Sequence, residues 1–168
     1  NTGQNTPTIS NLSVGTYILT VQDSNGCVGT DSITLTEPDS IHIVTATTST
    51  SCYDSLDGTA SVSVSGGVSP YTYQWNDPLF QTDSTAINLH ASTNTPYVCV
   101  VTDANGCIAT GSAIVNEPPP VSALLTLDTV YNTFGVSCYG VSDGKVTATA
   151  SGGNFPYSYS FSTDASRP

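Results

Sequence analysis

Basic side chains are almost absent. Lys145 and Arg167 are the only two in 168 residues, set against 13 acidic ones and a formal charge of −11. Such a surface repels a phosphate backbone rather than neutralising it, which excludes nucleic acid as a partner. Charge of either sign is scarce, at 9% of residues. Ser and Thr carry the polarity instead, and they suit exposed strand faces and turns better than helix interiors. The two histidines, His42 and His90, stand far apart without the Cys or His company of a zinc site.

No apolar run approaches the roughly 20 residues that span a bilayer. The longest, such as Val98 to Val101, are strand-sized, so direct membrane insertion is not expected. The sequence has no Met and no basic, apolar leader, while its cysteine pattern suits an oxidising compartment. The expectation is a segment of a longer secreted protein. A nucleophile with a base, a metal cluster and a phosphate loop are all missing from the pattern, so no enzyme is expected.

What the chain does have is repetition. Gly15-Thr16-Tyr17-Ile18-Leu19-Thr20-Val21-Gln22-Asp23-Ser24-Asn25-Gly26-Cys27 returns as Thr95-Pro96-Tyr97-Val98-Cys99-Val100-Val101-Thr102-Asp103-Ala104-Asn105-Gly106-Cys107, 80 residues on. Ser51-Cys52-Tyr53, Asp57-Gly58, Ser65-Gly66-Gly67 and Pro70-Tyr71-Thr72-Tyr73 return 86 residues on, as Ser137-Cys138-Tyr139, Asp143-Gly144, Ser151-Gly152-Gly153 and Pro156-Tyr157-Ser158-Tyr159. The six extra residues lie between Glu117-Pro118 and Cys138, in one loop or the first strand. A period this long makes each repeat a small domain, not a turn of a solenoid.

Strand signals dominate that unit. Ser61-Val62-Ser63-Val64-Ser65, Tyr71-Thr72-Tyr73-Gln74-Trp75 and Ser32-Ile33-Thr34-Leu35-Thr36 alternate as half-buried antiparallel strands do. Asn25-Gly26 and Asn105-Gly106 predict two-residue type I′ hairpin turns. With 10 prolines and 14 glycines interrupting the chain, the fold class is all-β, a string of tandem antiparallel β-sandwich repeats. The complete repeat spans 39–118, with strands near 41–48, 58–65, 71–76, 85–89, 96–102 and 108–115 and an optional edge strand between Asn76 and Ser84. Residues 1–38 supply the C-terminal half of one repeat and 119–168 the N-terminal half of a third. Half sandwiches expose an apolar face and open edges, so each is expected to be completed by further chain or by neighbouring copies in a fibre.

Ser51-Cys52, Asp57-Gly58-Thr59-Ala60, Ser65-Gly66-Gly67, Pro70-Tyr71-Thr72-Tyr73-Gln74-Trp75, Thr102-Asp103-Ala104-Asn105-Gly106-Cys107 and Glu117-Pro118, in this order, resemble the SprB repeat of giant surface adhesins in gliding Bacteroidota. The resemblance implies an immunoglobulin-like sandwich, export by the type IX route and a place in a cell-surface filament or adhesin. The third copy departs from it with Phe161 at the position of Trp75 and a longer segment from Val121 to Val136.

Cys99, two residues after Tyr97 and replaced by Leu19 in the first copy, reads as a buried free thiol acting as a small hydrophobe. Cys27, Cys52, Cys107 and Cys138 are disulfide candidates. In a collinear string the first and last strands run the same way, which sets Cys52 and Cys107 at opposite ends, beyond the under-7 Å Cα separation of a disulfide. Pairing across a domain junction is one reading, an intradomain Cys52 to Cys107 bond after fold-back of the 48–57 loop another, and reduced thiols a third. Asp54, Asp57 and Glu117 are weak candidates for a junction calcium ion.

Asp31-Ser32-Ile33, Asp39-Ser40-Ile41, Asp54-Ser55-Leu56, Asp83-Ser84-Thr85 and Asp128-Thr129-Val130 are read as the Asp-Ser/Thr-apolar O-glycosylation signal of the same bacteria, with Ser32, Ser40, Ser55, Ser84 and Thr129 as the acceptors, so a glycoprotein is expected. The function expected is structural and adhesive: a rod stiffened by Glu-Pro linkers, whose partners are neighbouring repeats and surface glycans or a substratum. Tyr53, Tyr139 and Phe80 are candidate contacts. The alternatives are a carbohydrate-binding module built on Tyr71, Tyr73 and Trp75, whose shared parity points them into the core, and a non-catalytic accessory domain of a secreted enzyme.

Overall fold

The structure, a computed structural model, describes residues 6–92, 94–128 and 135–162. Ten strands form among these residues, all paired antiparallel, and no helix does. The center of the molecule is a sandwich of two three-stranded sheets. One holds β3 (His42–Thr48), β4 (Gly58–Ser65) and β6 (Thr85–Leu89) in the order β3-β4-β6, and the other holds β5 (Thr72–Trp75), β7 (Tyr97–Thr102) and β8 (Ile108–Ala113) in the order β5-β7-β8. Alternation decides which side chains meet between them. Ala60 and Val62 from β4, Ala86 and Leu89 from β6, and Trp75, Cys99, Val101 and Ala113 from the facing sheet make the core, closed by Val115. Tyr71 and Tyr73 pack against it.

The six strands fall within a residue or two of their expected bounds, but the segment between Asn76 and Ser84 forms no strand. Buried Asp77 organises it as a loop instead. Its carboxylate accepts the amides of Leu79 (3.0 Å) and Gln81 (2.9 Å) and the Gln81 side-chain amide (3.0 Å). Burial raises the Asp77 pKa, but these donors outweigh it and leave the carboxyl below the usual carboxylate range.

The Asn-Gly hairpins also differ from expectation. Asn25 and Asn105 do not take positive φ; only Gly26 (φ 89°) and Gly106 (φ 83°) do. Each loop is a three-residue type I turn closed by a left-handed glycine, not a type I′ turn. The preceding aspartate decides this, because Asp23 and Asp103 each accept two amides within the loop, those of Asn25 and Cys27, and of Asn105 and Cys107.

Two further hairpins flank the sandwich, each a two-stranded sheet. These are β1 (Gly15–Gln22) with β2 (Val28–Leu35), and β9 (Ser122–Leu127) with β10 (Val146–Ser151). Their registers copy the central ones. Tyr17 pairs with Ile33 as Tyr97 pairs with Ala113, and Ser122 pairs with Ser151 as His42 pairs with Ser65. Because β9 keeps the register of β3, the six-residue insertion falls outside the strand, between Asp128 and Ser137. Tyr157 to Phe161, the counterpart of β5, forms no strand. In the center β7 holds β5 by pairing Trp75 with Cys99.

Candidate functional site at the sandwich poles

The sandwich has two poles, and the repeated motifs gather there. At the exit pole the loop after β3 is tied to the segment after β8. The Thr50 amide donates to the Asn116 carbonyl (2.9 Å) and the Asp54 amide to Glu117 Oε2 (2.7 Å). The Ser51 amide donates to Asp57 Oδ1 (3.0 Å), a bond that recurs from Ser137 to Asp143 at the same length. The Ser51 bonds hold the Asp57 carboxyl below its ordinary range. Cys52 is exposed within this loop, and Cys138 within its copy.

The calcium candidates do not converge. Glu117 takes the Asp54 amide, Asp57 takes the Ser51 amide, and Asp54 faces His90 with Oδ1 3.9 Å from Nδ1. No group of three or more metal-ligating side chains occurs among the described residues.

At the entry pole, Asp103 is the organising residue and is buried. Oδ1 accepts the Asn105 and Cys107 amides, and Oδ2 accepts the Val68 amide at 3.0 Å. The Ala104 amide returns a bond to the Val68 carbonyl at 2.9 Å. One carboxylate therefore joins the β4 to β5 corner to the hairpin that carries Cys107. Burial pushes its pKa up, yet the amides of Cys107, Val68 and Asn105 prevail and leave it depressed.

A depressed folded value means that this contribution is fully present above the unfolded aspartate value, near pH 4, and is lost as pH falls through the folded one. Thermal unfolding should therefore begin at progressively lower temperature below about pH 4. Asp103→Asn, which keeps one acceptor and replaces the other with a donor, should lower Tm at pH 7 and make the acid limb shallower. An unchanged limb in that variant would remove Asp103 from the account.

Cys107 immediately precedes β8, whereas Thr50, two residues before Cys52, bonds Asn116 past the far end of that strand. At about 3.4 Å per residue the two are roughly 30 Å apart, far outside disulfide reach. Folding back of the 48–57 loop does not occur, because Thr50 and Asp54 anchor it at the exit pole. Cys99 is fully buried, and burial pushes its thiol pKa up.

The glycosylation candidates Ser32, Ser40 and Ser84 are exposed and Ser55 is half-buried, while Thr129 lies outside the described residues. Tyr53, Phe80 and Tyr139 are exposed. Trp75 is buried, and Tyr71 and Tyr73 pack on the core, so these three rings form no exposed platform. A shallow cleft lined by Asn76, Pro78, Ala91, Ser92, Thr95 and Tyr97 brings together no acid, base or nucleophile pair.

Sequence reading missed a third repeated phrase. Asn11-Leu12 and Asn88-Leu89 correspond, and both asparagines are left-handed, with φ of 57° and 56°. Just after each, a backbone carbonyl receives a tyrosine hydroxyl: Ser13 from Tyr17 at 2.8 Å and His90 from Tyr97 at 3.2 Å. The spacing here is 77 residues rather than 80, which hides the match from any fixed-period comparison.

A family model described as the SprB repeat matches residues 44–80, from within β3 to just past β5, and again residues 131–166. No curated protein and no solved structure matches the chain. The family is a structural rather than a catalytic repeat, found in surface-exposed proteins. The resemblance visible in the sequence is thus matched by the family model: two segments of this chain are similar to the SprB repeat.

Proposed function

We propose that the chain is a structural and adhesive segment of a long extracellular surface protein or filament, with one whole sandwich at 39–118 between half-units at 1–38 and 119–168. The observation that carries this reading is the recurrence of strand register in β1–β2 and β9–β10, joined to the center by Glu37-Pro38 and by Glu117-Pro118-Pro119-Pro120. Proline-rich joints limit bending, so successive sandwiches space a binding surface away from the cell. Weak contacts repeated along such a rod raise effective concentration without a strong single site. Exposed Tyr53, Phe80 and Tyr139 suit such contacts with glycans or a substratum, and type IX export with a role in gliding fits the family's setting.

Electron microscopy of the native assembly tests this. Axial beading of roughly 35–45 Å is expected, from about 3.4 Å per strand residue plus turns. Deleting residues 39–118 from the full-length protein should remove one bead and weaken attachment to a glycan-coated surface. A filament of unchanged length and attachment would sink the reading.

A further inference from the structure

The loop from Asn76 to Gln81 is held more rigidly than a connection requires. Besides the amides gathered by Asp77, the Gln81 side chain exchanges two bonds with the Ile87 backbone, Nε2 donating to its carbonyl at 2.9 Å and Oε1 accepting its amide at 3.0 Å. Asn76 Oδ1 takes the Val98 amide at 2.7 Å, and Gln74 Nε2 donates to the Phe80 carbonyl at 3.1 Å. This scaffold presents Leu79 and Phe80 to water, each 68% exposed, and Phe80 is left-handed with φ 49°. A bulky residue at positive φ is strained, and such strain collects at binding surfaces rather than in plain connections.

Asn76 and Pro78 of this loop form one wall of the cleft, whose volume of about 380 Å³ lies within the range of small-ligand sites. Asn94, Thr95, Pro96 and Tyr97 form the other. That second wall stands where the copies differ in length. Tyr17 reaches back to Ser13 just after Asn11-Leu12, and Tyr97 to His90 just after Asn88-Leu89, but the central copy carries three more residues in between (80 − 77). The first copy makes the same bond without them, so the hairpin does not require the longer segment. Loop length beyond what the fold needs is where binding residues are carried. Ser92 fixes the segment to Val115, its amide donating to the carbonyl at 2.8 Å and its Oγ accepting the amide at 3.0 Å.

No residue lining the cleft is charged, and the chain carries −11. An anionic ligand is repelled, while a cationic one meets no open carboxylate there, because that of Asp77 is buried and occupied by amides. Burial pushes the Tyr97 hydroxyl pKa up, the Asp77 charge adds to it, and the ring stays neutral. The walls offer amide and hydroxyl groups beside the flat faces of two prolines and a tyrosine. These match the hydroxyl edges and C–H faces of an uncharged sugar. We propose that this cleft, with Leu79 and Phe80 beside it, binds uncharged polysaccharide. Being shallow, it takes a stretch of polymer lying across it, and its pre-set walls lose little freedom on binding. The site deepens the adhesive reading and rests on it for polysaccharide as the class of partner; the string of sandwiches stands without it.

Native gels cast with hydroxyethyl cellulose, mannan or galactomannan should retard the 168-residue protein in at least one case, and gels cast with polygalacturonate or gelatin should not. Replacing residues 91–96 by Val14-Gly15-Thr16, the first copy's own segment, should abolish the retardation. Asn94→Asp, which puts a charge where an amide donor stood, should weaken it roughly three- to ten-fold. Phe80→Gly should weaken it while leaving the urea midpoint no lower, because glycine accepts the left-handed backbone; a merely structural Phe80 would move the midpoint alone. Ser63→Asp, the same added charge on the exposed face of β4, should change nothing. Trp75, the only tryptophan, reports in every variant that the central sandwich remains folded. Free migration in every neutral gel, equal retardation by polygalacturonate, retardation by gelatin alone, or indifference to both Asn94→Asp and Phe80→Gly overturns the cleft. Retardation that survives those variants and disappears with Tyr53→Ala overturns the cleft and leaves the adhesive reading standing.

Discussion

Trp75→Ala should destabilise the central sandwich by about 3–5 kcal/mol, the usual cost of emptying a buried tryptophan site. The side chain is the largest of the fully buried ones and lies where the two sheets close on each other. Its removal also strands polar atoms, since Nε1 donates to the Asp83 carbonyl at 2.9 Å. The neighbourhood cannot collapse into the space, because the Trp75 backbone is held on both sides. Its amide bonds the Gln81 carbonyl at 2.9 Å, and its register partner is Cys99 on β7.

Trp75→Phe separates the two contributions. It keeps a ring, as Phe161 does in the third copy, but leaves the Asp83 carbonyl without its donor, a loss of about 1–3 kcal/mol. Urea unfolding followed by circular dichroism measures both variants. A Trp75→Ala loss under about 1 kcal/mol would mean that the sandwich closes without this side chain, against the burial seen.

The strands of the central sandwich were legible because their signals are local. Alternation in Ser61 to Ser65 and Tyr71 to Trp75 states which face is inward, and a two-sheet fold needs little more. Hairpin positions were equally plain. Their turn type was not, because it depends on the Asp23 and Asp103 carboxylates each accepting two amides within the loop, which the Asn-Gly pair alone does not announce. The optional edge strand between Asn76 and Ser84 is absent for a related reason: the Asp77 carboxylate gathers nearby amides and organises the stretch as a loop.

The SprB resemblance was legible from the order of short phrases, though the family model covers only the first half of each unit, as at 44–80. Cysteine placement at the poles followed from strand direction alone. What strand direction did not supply was the Asn154 to Ser51 contact, a side-chain bond between units that no spacing rule announces.

Gly66→Ala should cost at least about 3 kcal/mol, by the sum of a left-handed alanine and a main-chain collision. Gly66 has φ 71°, and a Cβ built there falls 2.0 Å from the Ser40 carbonyl oxygen. That oxygen belongs to backbone leading into β3, so no side-chain rotation relieves it. Relief requires moving the corner, which endangers the Gly67 bond to the Asp39 carbonyl and the Tyr71 hydroxyl bond to Gly66 itself. Those bonds fix the entry pole, and with it the Val68 amide on Asp103.

Gly106→Ala is the internal comparison. Its φ of 83° is just as left-handed, but nothing lies within 4 Å of the added carbon, so only the conformational cost of about 1–2 kcal/mol remains. Urea midpoints should therefore rank Gly66→Ala well below Gly106→Ala; equal losses would show that φ alone, not the approach of Ser40, requires glycine at the pole. The third copy repeats the approach, with a Cβ at Gly152 falling 2.0 Å from the Pro120 carbonyl oxygen. Gly152→Ala should leave the central midpoint unchanged, because β9 and β10 share no sheet with the central strands.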